Sequence, residues 1–229
     1  MTSAMILGAS GLTGQALLAE LIADEHINRI VLLVRKPLAI EHDKIQQHQV
    51  DFHDIKQYQE LFAVDRVYCC LGSTIKSAGS KVAFRAVDID LVSRCAQLAT
   101  KGGAKQFIVI SSVGANSSSA NFYSRCKGEM ENALKSLCAT SAMKLTICRP
   151  SLLLGKRADL RPAESVAAAL SKYLTFIFTG PLKKYRPIRA WQLAKAMRHL
   201  GAQETGQQIS TLASHELIHL SHNRPQNGD

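Results

Sequence analysis

The chain has 229 residues, with 28 Lys and Arg against 18 Asp and Glu, a formal net charge of +10. Apolar residues make up 46% and charged residues 20%, which excludes an intrinsically disordered chain and allows a buried core without covalent staples. Six cysteines are too dilute for a disulfide scaffold, and the excess basic charge permits a polyanionic partner without showing one.

In chain order, Met5 to Leu7 is expected as a buried strand. Thr13 to Ala23 follows as a helix, with Leu17, Leu18, Leu21 and Ile22 on its inner side. Ile30 to Val34 is a continuous apolar run, the pattern of an internal parallel strand. Val50 to Phe52 is expected as the third strand and Val67 to Leu71 as the fourth, ended by Gly72. One long helix from Lys81 to Thr100 stops at Gly102-Gly103. Phe107 to Ile110 reads as the fifth strand, with Ser111 and Ser112 at its carboxyl end. Tyr123 to Leu137 reads as a helix, and Leu145 to Cys148 as a sixth strand stopped by Arg149-Pro150. Strands separated by helix-length segments argue for an α/β doubly wound parallel sheet.

Beyond Pro150 the alternation weakens. Ser165 to Phe178 and Ala190 to Leu200 are expected as helices, with prolines 162, 181 and 187 at the connections. Gln208 to Thr211 is a short late strand and Ala213 to Leu220 a last helix, before a polar tail from Asn223. No signal peptide is read at Met1, and the apolar run from Val166 to Ile177 is too short and interrupted to span a membrane. Tyr173 to Phe178, followed by Lys183, Lys184 and Arg186, fits either the roof of a pocket or contact with a membrane surface.

Gly8-Ala9-Ser10-Gly11-Leu12-Thr13-Gly14 is a GxxGxxG loop between the first strand and the first helix. Gly8 permits the tight turn, Gly11 the close approach of a pyrophosphate, and Gly14 tight packing of helix on sheet. Ser10, Leu12 and Thr13 share that loop and are assigned to the same cofactor. The second strand ends in Arg35-Lys36, where an NAD site usually carries an acidic residue, so NADP is the expected cofactor and NAD the alternative. Asp51 and Phe52 are placed to meet the adenine. Leu71, Gly72 and Ser73 are placed along the nicotinamide side, where Gly72 leaves room for a ribose.

Ser112 and the Tyr123-to-Lys127 pair form the reactive constellation. Residues four apart share one helical face. A phenol with an ordinary pKa near 10 needs a nearby cation before it can exchange protons at neutral pH, and Lys127 supplies one. Ser112 would hold a substrate oxygen, Tyr123 would pass the proton, and hydride would move between nicotinamide and a carbonyl carbon.

With these motifs in view, the sequence resembles an atypical short-chain dehydrogenase/reductase. It is similar to the Tat-interacting-protein branch and to bacterial nucleoside-diphosphate-sugar-epimerase-like proteins. The matching stretches are Gly8 to Gly14, Cys69 to Thr74, Ser111 to Ala115, Phe122 to Glu129 and Arg149-Pro150. The resemblance implies a Rossmann fold, NADPH binding with Pro150 among the cofactor residues, a Ser112/Tyr123/Lys127 triad, and a backbone beside the nicotinamide from Ser151 to Leu154. Many extended relatives carry Asn where this chain has Asp88, so the usual tetrad is incomplete. Some members of this branch resemble cofactor-dependent regulators.

Residues 1–150 are therefore read as a dinucleotide-binding core, and 151–229 as a small substrate-side cap completing the same domain. The expected function is an NADP-dependent oxidoreductase acting on a small carbonyl or alcohol. The alternatives are an NADP(H)-binding regulatory or interaction protein, and a sugar-nucleotide epimerase-like enzyme. The expected location is cytoplasmic. Expected partners are the dinucleotide and a small substrate, with no primary nucleic-acid partner and only weak grounds for a membrane or protein partner. Lys156, Arg157 and Arg161 fit either an anionic substrate or a solvated loop. His215-Glu216-Leu217-Ile218-His219 matches the HExxH pattern of zinc hydrolases but is read as a terminal amphipathic helix, with no metal.

Overall fold

The computed structural model describes residues 1–155, 180–203 and 207–222. Seven parallel strands form the main sheet: β1 (Thr2–Leu7), β2 (Ile27–Val34), β3 (Ile45–Gln49), β4 (Arg66–Cys69), β5 (Gln106–Ile110), β6 (Lys144–Arg149) and a last strand, Ile209–Ala213. Their spatial order is β3-β2-β1-β4-β5-β6 and then the last strand. This is the doubly wound α/β architecture of a Rossmann fold, with helices on both faces. Leu153–Leu154 and Ile188–Arg189 form a separate two-stranded ribbon.

Both faces of the sheet are apolar because both are covered. Successive side chains alternate: Met5 and Leu7 enter one core while Ala4 and Ile6 enter the other. The first core lies under α4 (Val92–Lys101) and α5 (Phe122–Ala139), through Cys95, Leu98, Met130 and Leu134. The second lies under α1 (Leu12–Ile22) and the helices Ala190–Ala202 and Ser214–His222. Leu17 and Leu21, four apart on α1, and Leu193 and Met197, four apart on the helix Ala190–Ala202, are fully buried there. Each such side chain contributes roughly 1.5–3 kcal/mol by leaving water. Arg198 locks the two helices together through Glu20 and Asp24, each at 3.3 Å.

The third strand lies earlier than expected, at Ile45–Gln49 rather than Val50 to Phe52. It is a polar edge strand, so the alternation that reveals a buried strand is missing. Asp51 instead caps a run of 3₁₀ turns, Phe52–Phe62, by accepting from the His53 amide at 2.9 Å. The single helix expected over Lys81 to Thr100 is three pieces: α3 (Lys81–Arg85), a π-helical turn Ala86–Leu91, and α4. A short α2 (Ile75–Ala78) precedes them. The late strand joins the main sheet as its seventh member. Of the chain expected to cap the site, Ala190–Ala202, Ile209–Ala213 and Ser214–His222 thus belong to the sheet and its second layer, and residues 156–179 and 204–206 lie outside the described ones. Among the described residues, no helix is long and apolar enough to cross a membrane.

Candidate functional site

The chain winds outward from β1 in both directions, to β2 and β3 on one side and to β4, β5 and β6 on the other. Loops leaving the carboxyl ends of β1 and β4 therefore diverge and leave a crevice, the place where open α/β sheets take ligands. A cavity of about 870 Å³ lies there. Its lining gathers Ser10, Gly11, Leu12 and Thr13 from the glycine loop and Leu71, Gly72 and Ser73 from the loop after β4. Ser111 and Ser112 come from the end of β5, Tyr123 and Lys127 from α5, and Pro150 from the end of β6. A smaller cavity of about 490 Å³ lies at the opposite end of the strands, beside Thr2, Asp65 and Lys105.

The glycine loop is shaped as its sequence requires. Gly8 has φ +83°, and a Cβ there would press on the Cys70 carbonyl at 2.8 Å. A Cβ on Gly14 would collide with the Gly8 carbonyl. The two glycines lie beneath the loop, not on the cavity wall, and they let α1 start directly under it. Gly11 caps α1 with no side-chain acceptor, so the first amides of the helix are presented to the cavity without a competing cap. This is the cradle a pyrophosphate needs, and it fits a dinucleotide.

On the reactive side, Asn121 caps α5 by accepting from the Ser124 amide at 3.0 Å, and the i, i+4 spacing in that helix puts Tyr123 and Lys127 on one face. The Phe84 ring packs against Tyr123 with centroids 5.8 Å apart. Ser112, at the neighbouring strand end, donates to the Val113 carbonyl at 3.3 Å. Lys127 is 3% exposed, and its Nζ lies 2.8 Å from Asp88 Oδ1. Asp88 is fully buried and accepts at Oδ2 from both the amide and the hydroxyl of Ser73, at 2.9 and 2.7 Å. Burial by itself would push the Lys127 ammonium down. The Asp88 carboxylate, with a smaller contribution from Tyr123, outweighs it and raises Lys127 above 10.5. Ser73 is thus committed to Asp88 through both of its donors. The π-helical turn carries Asp88, a common association of such turns with functional sites.

Sequence reasoning missed Glu131. It lies on α5 one turn beyond Lys127, is 1% exposed, and accepts from Ser111 Oγ at 2.6 Å and Arg149 Nε at 2.8 Å. The i, i+4, i+8 run Tyr123, Lys127, Glu131 was the available signal, but a Glu on an amphipathic helix ordinarily reads as solvated.

The remaining assigned residues lie on the β2–β3 side and not in the cavity wall. Arg35 and Lys36 are exposed just past β2, and Gln49 donates to the Arg35 carbonyl at 3.2 Å. Asp51 is exposed and Phe52 packs against the core. In the HExxH stretch, Glu216 accepts from the Ala213 amide at 2.7 Å and caps its own helix. Burial pushes the Cys126 thiol up, away from a reactive thiolate. Lys156, Arg157, Arg161 and the stretch Ser165 to Phe178 lie outside the described residues.

Residues 8–161, from the first glycine of the cradle onward, match the family model described as NAD(P)H-binding. The chain belongs to the NAD(P)H-binding family. It is related to HTATIP2 and FMP52. It is 38% identical over 169 residues to Protein HTATIP2 of Rattus norvegicus, covering 72% of this chain and 68% of the relative. It is 29% identical over 229 residues to the mitochondrial protein FMP52 of Debaryomyces hansenii, covering 95% and 97%. Among solved structures, MoeE5 in complex with UDP-glucose and NAD superposes with a TM-score of 0.69 at 12% identity, covering 96% of this chain and 80% of that one. The UDP-glucose 4-epimerase of Thermotoga maritima gives 0.69 at 14% identity, covering 92% and 76%. Family and fold together establish a nicotinamide dinucleotide as the cofactor class. The expected cytoplasmic location is overturned, because the FMP52 relatives, including that of Emericella nidulans at 32% identity, are named as mitochondrial proteins.

Proposed function

We propose that this protein is a nicotinamide-dinucleotide-dependent oxidoreductase, with NADP preferred, acting on a small carbonyl or alcohol. The observation that carries the reading is one cavity wall holding the glycine cradle, Ser112, Tyr123 and Lys127 together. The amides of Leu12, Thr13 and Gly14 hold the pyrophosphate, and Arg35 and Lys36 lie toward a 2′-phosphate. Bound dinucleotide supplies or accepts hydride at its nicotinamide ring. Ser112 holds the substrate oxygen by its hydroxyl. Tyr123 gives that oxygen its proton in reduction and takes it back in oxidation. Lys127 stabilises the phenolate, and Asp88 holds Lys127 charged and in place.

A sugar-nucleotide epimerase-like reaction is the second reading, and the overall likeness to epimerase structures favours it. It uses the same proton and hydride transfers but returns the cofactor unchanged. NADPH oxidation followed at 340 nm across a carbonyl panel separates the two. Consumption of NADPH that falls about 10²–10⁴-fold in Tyr123→Phe supports the oxidoreductase. Isomerisation of a nucleotide sugar without net consumption supports the epimerase. NADPH binding with no turnover, and no change in Tyr123→Phe, replaces both with a cofactor-dependent regulator.

A further inference from the structure

Three elements of the site meet at one buried carboxylate, Glu131, which is not part of the cavity wall. Glu131 Oε1 accepts from Ser111 Oγ at 2.6 Å and from Arg149 Nε at 2.8 Å, while Oε2 takes Arg149 Nη2 at 2.5 Å. Lys135, one turn further along α5, lies 3.7 Å from Oε2. Ser111 immediately precedes Ser112 at the end of β5, and Arg149 immediately precedes Pro150 at the end of β6. Glu131 follows Lys127 by four residues and Tyr123 by eight, so all three lie along one face of α5. The strand ends are also tied to each other, by Ser111 N to Cys148 O at 2.7 Å and Val113 N to Pro150 O at 2.9 Å.

We propose that Glu131 is the positioning residue that fixes α5, and with it Tyr123 and Lys127, at a set distance from Ser112. The proposal rests on the reading of those three residues given above. A charged side chain at 1% exposure loses its hydration, and three donors from two strand ends replace that water. The arrangement is rigid because the guanidinium fork of Arg149 binds both carboxylate oxygens. It also separates the roles of two adjacent serines. Ser111, 3% exposed, is committed to Glu131, while its neighbour Ser112 on the same cavity wall is not. Without Glu131, α5 can slide relative to β5 and β6, and a misplacement near 1 Å is worth about 100-fold in rate.

The test compares Glu131→Leu, Glu131→Gln and Ser111→Ala with the wild type, each loaded with NADPH. Glu131→Leu is expected to keep the NADPH Kd within about threefold and lose about 100-fold in kcat with KM little changed. Glu131→Gln retains an acceptor for Ser111 and recovers about tenfold of that loss. Ser111→Ala removes one hydroxyl, tests the same tether if Glu131→Leu does not fold, and is expected to lose severalfold in kcat. Wild-type kcat in Glu131→Leu or Ser111→Ala, or a loss seen only in KM, overturns the proposal. If the wild type shows no turnover, the catalytic reading has failed on its own account. The emission band of bound NADPH then decides for Glu131: a shifted maximum in Glu131→Leu supports it, and an unchanged one overturns it.

Discussion

The β5–α5 side of the sheet and its β2–β3 side are built on opposite electrostatic plans. On the reactive side, Asp88, Lys127, Glu131 and Ser111 are buried, and each is committed to partners within 2.9 Å. On the β2–β3 side, Arg35 and Lys36 just past β2, and Asp51 just past β3, are exposed. A buried charge must be paired or it destabilises the fold, so the reactive side is fixed in geometry before any ligand arrives. An exposed charge keeps its water and contributes little until a phosphate approaches, so that side acts through attraction that salt weakens. The comparison teaches that the α5 side is fixed by its buried pairs, while the β2–β3 side keeps its charges in water.

The sharpest way to break this contrast is Lys127→Met, which strands the Asp88 carboxylate in the core. A loss of about 3–5 kcal/mol is expected by chemical denaturation, with most of it restored in the double variant Asp88→Asn, Lys127→Met. No loss in the single variant would mean that water reaches Asp88. The pH dependence follows from the raised pKa of Lys127. Its stabilisation is fully present below pH 10.5 and is lost as pH rises through the higher folded value. Alkaline melts of wild type against the double variant check this.

Next in size is Gly14→Ala. Its Cβ meets backbone atoms of Gly8 and Ala9, which cannot yield as a side chain can. About 1–3 kcal/mol of stability and more than tenfold in NADPH affinity are expected to go together. On the exposed side, Arg35→Ala is expected to weaken NADPH about tenfold, near 1.4 kcal/mol, and to leave NADH nearly unchanged. The ratio of the two affinities should shrink as salt rises, and an equal loss for both cofactors would remove Arg35 from the 2′-phosphate.

The smallest effect lies outside the crevice, at Asp65. The Ser3 amide, helped by the Ser3 hydroxyl and Lys105, holds its carboxyl down at about 2 against an ordinary 3.8. A lowered pKa gives stability that is present above pH 3.8 and lost as pH falls toward 2. Asp65→Asn is expected to cost about 1 kcal/mol at neutral pH once solvent screening is allowed for, with the difference vanishing in acid. A difference that persists at pH 2 would assign the effect to packing.

The sequence alone determined the parts that rest on local pattern. Apolar runs such as Ile30 to Val34 have to be central strands, because only a sheet covered on both faces buries every side chain of a run. Gly8 and Gly14 specify a turn and a close packing that other residues obstruct, and Tyr123 with Lys127 share a helical face by spacing alone. The tertiary structure decided what depends on partners distant in the chain. The polar edge strand Ile45–Gln49 pairs through its backbone, which leaves no mark in side-chain pattern. The π-helical turn at Asp88 and the burial of Glu131 arise from contacts with Lys127, Ser73, Ser111 and Arg149 at separations of 15 to 39 residues. A carboxylate's role is set by the donors that replace its water, and those donors are chosen by the packing of strands and helices, not by neighbours in the chain.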